Sequence, residues 1–209
     1  VSPNFLYLAE PKPEGERIPL THIEQASRLS YLLWSSPPDP PLLAADLTQP
    51  EALKQHVVRM IQDPKARAFV TGFTHQWLGL DRLNFFQFNP REFPEFDDSL
   101  KSAARSEVYE TFAELLRSNG SLNRLLKSDR VTVNGLLAAF YGIPGVTGDA
   151  WQTVEIASDL HRGGLLGMSA TLAMGSNGER TSPVERGAWV LRKLLHDPPP
   201  PAPPNVPQL

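Results

Sequence analysis

The stretch Asp97-Asp98-Ser99-Leu100-Lys101-Ser102-Ala103-Ala104-Arg105-Ser106-Glu107-Val108-Tyr109-Glu110-Thr111-Phe112-Ala113-Glu114-Leu115-Leu116-Arg117-Ser118-Asn119-Gly120 decides the fold. Leu100, Ala104, Val108, Phe112 and Leu115 recur at helical spacing and put one apolar stripe along a long helix. The two aspartates suit the positive end of the helix dipole, and Asn119-Gly120 supplies the left-handed residue that ends it. A long helix with a single apolar stripe must be covered by other elements, and the flanking sequence offers helices to cover it. Glu107, Glu110 and Glu114 ride on this helix among polar neighbours. Paired carboxylates can do acid–base work, but the pattern here predicts a solvated face.

Upstream, Thr21-His22-Ile23-Glu24 and Thr48-Gln49-Pro50-Glu51 have the spacing of capping boxes, as does Ser182-Pro183-Val184-Glu185 downstream. The first predicts a helix from about 22 to 35 with a broad apolar side of Ile23, Ala26, Leu29, Tyr31, Leu32, Leu33 and Trp34. The second predicts a helix from about 50 to 62 that buries Leu53, Val57, Met60 and Ile61. Asp63-Pro64 opens a third through Phe69, Phe73, Trp77 and Leu80. Residues 81–95 read as an irregular, phenylalanine-rich connection pinned against the helices. Downstream come a short helix at 122–127, another from about Val133 to Tyr141-Gly142, a lone extended stretch at 151–156, a small-residue helix from about 164 to 173, and a last helix from 183 to 195. The expected fold is all-α: an irregular multi-helix bundle with a proline-rich C-terminal tail and at most one short strand. Its expected parts are an N-terminal connector (1–20), a helical domain (21–145), a C-terminal helical subdomain packed on it (146–197) and a polyproline II spacer (198–209).

Composition narrows the function. Twenty Lys and Arg against 23 Asp and Glu leave a net charge of -3, without the clustered basic face that nucleic acid demands. No apolar run reaches the length of a membrane span. The chain has no Cys, so it offers no disulfide, thiolate ligand or thioether attachment for haem. It opens on Val1 and carries no signal-peptide pattern, as expected of a mature or excised segment.

Candidate chemistry is sparse. His22, His56, His75, His161 and His196 include no pair at the i, i+4 spacing of a helical metal site. His75, among Phe69, Phe73 and Trp77, could meet a haem edge but reads first as a structural histidine. Met60, Met168 and Met174 read as core, and no serine lies in a Gly-x-Ser-x-Gly elbow. Arg162-Gly163-Gly164 lacks the spacing of a phosphate loop, and its glycines predict close backbone packing or positive φ. The block from Ser176 to Gly187 is the densest polar stretch. Asn177, Arg180, Ser182 and Arg186 within it, together with Arg162 upstream, are the candidates for docking an anion or a partner, beside the reading in which Ser182 caps the helix and the arginines pair locally. Trp77, Phe85 and Phe88 are the candidates for an aromatic pocket.

A resemblance adds to this. Arg162-Gly163-Gly164-Leu165-Leu166-Gly167-Met168-Ser169, Ser176-Asn177-Gly178, Arg180-Thr181-Ser182-Pro183-Val184, Arg186-Gly187, Trp189-Val190-Leu191 and the proline tail resemble domains of unknown function in large planctomycete-type cytochrome c proteins. Ser27-Arg28-Leu29-Ser30-Tyr31-Leu32-Leu33-Trp34-Ser35-Ser36, Gln76-Trp77-Leu78 and Tyr141-Gly142-Ile143-Pro144 resemble the preceding domain of that architecture. Val1-Ser2-Pro3-Asn4-Phe5-Leu6-Tyr7 resembles the end of an earlier one. The resemblance implies an exported, periplasmic protein, with haem c in a neighbouring module or partner beyond the proline-rich segment. On that footing the chain is expected to be a helical scaffold or docking segment in electron transfer, partnered by a cytochrome c module or subunit. The alternatives are the substrate-pocket domain of a haem oxidoreductase and an assembly subunit with no cofactor, for which an exposed apolar patch is expected.

Overall fold

The computed structural model describes residues 19–85, 87–157, 160, 162–176 and 178–200. It is mostly helical, and it divides into two compact units, Val1–Lys65 and Ala66–Leu209. The connector up to residue 18 and the polyproline stretch from residue 201 lie outside the described residues.

In the first unit, α1 (His22–Trp34), α2 (Pro40–Ala44) and α3 (Pro50–Gln62) gather around Trp34. The Thr21 box forms in full: its hydroxyl accepts from the Glu24 N–H at 3.3 Å, and the Glu24 carboxylate accepts from the Thr21 N–H at 2.8 Å. Thr48 does not cap α3. Gln49 stands at that position without capping the helix through its side chain, and both its amide and the Thr48 hydroxyl turn back to Asp46. The buried Trp34 indole donates to the Met60 carbonyl at 3.0 Å, tying α1 to α3, and the Lys65 ammonium lies 4.7 Å from its ring centroid. Asp39 caps α2 and also takes both arms of Arg59, at 2.7 and 3.0 Å. The buried stripe of α1 is narrower than expected. Ala26, Ser30, Leu33 and Trp34 are inside, whereas Ile23, Tyr31 and Leu32 are more than half exposed. A helix packed along one seam covers only the residues spaced three and four apart on that seam. Of the stripe expected on α3, only Met60 is fully buried.

The second unit comprises α4 (Arg67–Leu78), α5 (Arg82–Phe85), α6 (Asp98–Arg117), α7 (Gly135–Tyr141), α8 (Ser169–Met174) and α9 (Pro183–Lys193), with strands β1 (Arg130–Val133) and β2 (Gln152–Glu155). The long helix α6 runs between two apolar cores. Ala104, Val108 and Leu115 enter one, with Leu80, Met174 and Trp189. Leu100 and Ala103 enter the other, with Val133, Leu137 and Tyr141. Two tryptophans tie the ends of the first core together. Trp189 donates to the Leu78 carbonyl at 3.2 Å, and Trp77 donates to the Lys193 carbonyl at 2.8 Å.

The extended stretch at 152–155 is not alone. It pairs antiparallel with β1, with Val131 opposite Val154 and the Thr132 and Thr153 hydroxyls 3.0 Å apart. The helix expected from about Val133 begins instead at Gly135, and Arg130–Val133 forms β1, whose Val131, Thr132 and Val133 are buried in a row without the alternation that marks a strand. Asn119 takes the left-handed conformation expected at the end of α6, with φ of 49°. No helix among the described residues is long and apolar enough to cross a membrane.

The two glycines before the last part of the chain act as expected. A Cβ on Gly163 would run into the Ser128 carbonyl, and Gly164, at φ of 83°, would place one 2.7 Å from the Leu126 carbonyl. The backbone just after Arg162 thus lies directly on the backbone of residues 125–128. Gly163→Ala should therefore lower stability by about 2 kcal/mol or more, read as a fall in the urea midpoint at unchanged slope. A midpoint equal to that of the wild type would mean the backbones are not in contact.

Candidate functional site

The cavity that gathers the candidate residues lies in the second unit. Its aromatic wall is a run of touching rings. Phe88 meets Phe93 at 6.0 Å and Phe96 at 4.7 Å, Phe96 meets Phe140 at 5.9 Å, and Phe140 meets Tyr141 at 5.8 Å. Leu172 and Ala173 of α8 line it too. The cavity measures about 660 Å³, within the range of pockets that take small molecules.

Local backbone rules hold the wall in place. Gly178, at φ of 87°, leaves no room for a Cβ against the Gln87 carbonyl, and its own carbonyl accepts from the Asn89 N–H at 3.1 Å. This fastens the phenylalanine segment to the turn after α8. Ser176 and Thr181 close that turn with an isolated bridge. Gly175 lies under the aliphatic stem of Arg186, which a Cβ there would displace.

Three of the five docking candidates meet at this cavity: Arg162, Arg180 and Arg186 all line it, joined by Arg91. Asn177 lies outside the described residues. Ser182 has the structural role weighed for it, accepting from the Glu185 N–H at 3.3 Å as the cap of α9. The reciprocal half of that box is not made; the Glu185 carboxylate reaches Arg82 at 3.4 Å and Arg192 at 3.8 Å.

The aromatic candidates fare differently. Phe88 lines the cavity, but Trp77 packs against Phe73 and bonds Lys193 away from it, and Phe85 is 83 % exposed. Phe85 closes the short helix α5, whose one buried residue is Leu83, so its ring faces water. Phe96 and Phe140 take the places that Trp77 and Phe85 had been expected to fill.

Behind the cavity lies the residue that the sequence reading missed. Glu107 is not on a solvated face; it is 1 % exposed, between the two cores flanking α6. The Tyr141 hydroxyl donates to it at 2.6 Å and accepts from the Ser169 N–H at 2.9 Å. The Arg162 guanidinium lies 3.9 Å from the centroid of the Tyr141 ring and bonds weakly to the Gly167 carbonyl at 3.4 Å. Burial pushes the Glu107 carboxyl up to about 8, against the lowering effects of the Tyr141 bond and the Arg162 charge. Burial and the neighbouring carboxyl likewise raise the Tyr141 phenol. The signal for Glu107 was in the spacing: it lies seven residues after Leu100 and three after Ala104, on the buried stripe itself. Glu110 and Glu114 do lie nearer the surface, paired with Arg67 at 2.6 Å and Arg124 at 3.3 Å.

His75 and the three methionines lie where a structural reading puts them. His75 has both nitrogens engaged, with Tyr109 at 2.7 Å and Asp81 at 2.8 Å. Met60, Met168 and Met174 are buried among apolar side chains, and the chain has no Cys for a thioether. His161 lies outside the described residues.

Fold and site together define a mostly helical protein with an arginine-lined aromatic cavity. Residues 20–143 match the family PSD4, described as protein of unknown function (DUF1592), and residues 162–209 match PSCyt3, protein of unknown function (DUF1588). The first match covers more than half of the chain, which therefore belongs to the PSD4 family. The family names point to an association with planctomycete cytochrome c proteins, in line with the resemblance read from the sequence. No curated protein and no solved structure matches the chain.

The buried carboxyl gives a pH signature. Folded Glu107 keeps its proton up to about pH 8, whereas in the unfolded chain it releases it near 4.5. The folded state therefore binds the extra proton in that window, and stability falls as pH rises through it. The thermal midpoint of the wild type should drop between about pH 5 and 8, and Glu107→Gln, neutral at every pH, should flatten the slope and raise the midpoint at the alkaline end. Equal slopes in thermal unfolding followed by circular dichroism would mean that Glu107 is ionised in the fold.

Proposed function

We propose that this chain is a helical docking segment of an exported c-type cytochrome-associated protein, acting in electron transfer beside a haem module that lies outside these residues. The observation that carries the reading is the convergence of Arg162, Arg180 and Arg186, from the stretch that matches PSCyt3, with Arg91, from the stretch that matches PSD4, on one open cavity. Guanidinium groups on a concave apolar wall favour the carboxylates of a partner and steer its approach. The absence of cysteine and the engagement of His75 on both nitrogens support a haem held elsewhere rather than here.

A second reading, that the cavity receives the substrate of a periplasmic haem oxidoreductase, is favoured by its volume of about 660 Å³ and its phenylalanine wall. The two readings share the haem module and differ in what enters the cavity.

The test is an intact mass and a visible spectrum of the protein purified from its native source. A haem c Soret band is expected, either in a polypeptide heavier than 23.2 kDa or in a subunit that co-purifies. A colourless polypeptide of 23.2 kDa, free of any haem partner, would overturn the proposal. With the haem module supplied as a separate polypeptide, the double change Arg180→Gln and Arg186→Gln should weaken association about tenfold or more at low salt. Unchanged association would move the docking surface away from this cavity.

A further inference from the structure

The arginines are not equivalent. Arg91 and Arg180 are exposed, as are Glu92 and Glu95 of the same lining, whereas Arg162 and Arg186 are half-buried. Among the described residues no acceptor bonds the Arg186 guanidinium; its stem is laid over Gly175, where only a glycine leaves the room. Arg162 is stacked on Tyr141, and the buried Glu107 carboxyl is already bonded to that phenol and is pushed by burial toward its neutral form. Its positive charge is thus not cancelled from inside. A half-buried cation without an acid partner is costly unless something on the open side completes it.

The other lining groups narrow what that something is. Phe88, Phe96 and Phe140 meet edge-on or tilted and offer ring faces and edges to a flat apolar body. Glu92 and Glu95, the exposed carboxylates of the lining, repel a multiply charged anion such as a phosphoester more than a single carboxylate. A planar carboxylate also matches the guanidinium fork.

We propose that the cavity is a binding site for an organic acid with a flat apolar body and a single carboxylate, the carboxylate facing Arg186 and Arg162 and the body laid on Phe88, Phe96 and Phe140. This goes beyond docking: it needs no cytochrome partner and stands or falls on the purified 209-residue chain.

Calorimetric titration with naphthoate tests it, with naphthylmethanol and inorganic phosphate as comparisons. Naphthoate should saturate one site, and both the neutral alcohol and phosphate should bind about tenfold more weakly or worse. Arg186→Gln should lose about tenfold or more of the naphthoate affinity. Arg186→Lys, which keeps stem and charge, should retain part of it, and Phe140→Leu should weaken it less than Arg186→Gln. Far-ultraviolet circular dichroism confirms that each variant is folded; if Arg186→Gln is not, Arg186→Lys and Phe140→Leu carry the comparison. The proposal is overturned by a folded wild type with no saturable heat, by an alcohol that binds as well as the acid, by phosphate that binds as well as naphthoate, or by a folded Arg186→Gln that binds like the wild type. None of these outcomes bears on whether a haem band accompanies the native protein, so the two proposals fail separately.

Discussion

The Tyr141 hydroxyl is the point at which three distant parts of the chain have to agree. It donates to Glu107 on α6, accepts from the Ser169 N–H at the start of α8, and belongs to a ring that carries Arg162 on its face. A carboxyl placed between two apolar cores survives only if it is neutral and hydrogen-bonded. Meeting that condition ties the end of α7 to the start of α8 and to the middle of α6. Gly163 and Gly164 let the backbone just after Arg162 rest on that of residues 125–128, beside the Tyr141 ring on which Arg162 lies.

Much of the helical plan was legible because it is written in local chemistry. Thr21, Asp97 and Ser182 cap helices by accepting N–H groups three residues on, and Asn119 and Gly142 end them in left-handed turns. What could not be read locally was what tertiary packing decides. Thr48 has the spacing of a cap, but a nearer partner, Asp46, takes its hydroxyl. β1 is short, with its last three residues buried in a row, so it shows none of the alternation that marks a strand.

The site divides along the same line. That Arg162, Arg180 and Arg186 belong together could be anticipated from the density of polar residues near α9, whereas the aromatic wall opposite them could not. Phe96 and Phe140 come from segments more than forty residues apart, and only the packing of α6 and α7 brings their rings to within 5.9 Å. Trp77 and Phe85, the more conspicuous aromatics, are turned elsewhere by a backbone bond at Lys193 and by the brevity of α5. Glu107 was hidden by its type. Three glutamates on one helix suggest water, although position places the first of them on the buried stripe.

Arg162 belongs to two environments at once, as a plate over Tyr141 on one side and as part of the cavity lining on the other. A side chain shared in this way makes the interior and the opening thermodynamically reciprocal. Whatever stabilises the guanidinium from the open side also holds the phenol, its carboxyl and the start of α8 in register. Loosening of that register in turn reduces the opening's affinity by the same factor. The protein needs no moving lid for such coupling, because the shared side chain already connects the two environments.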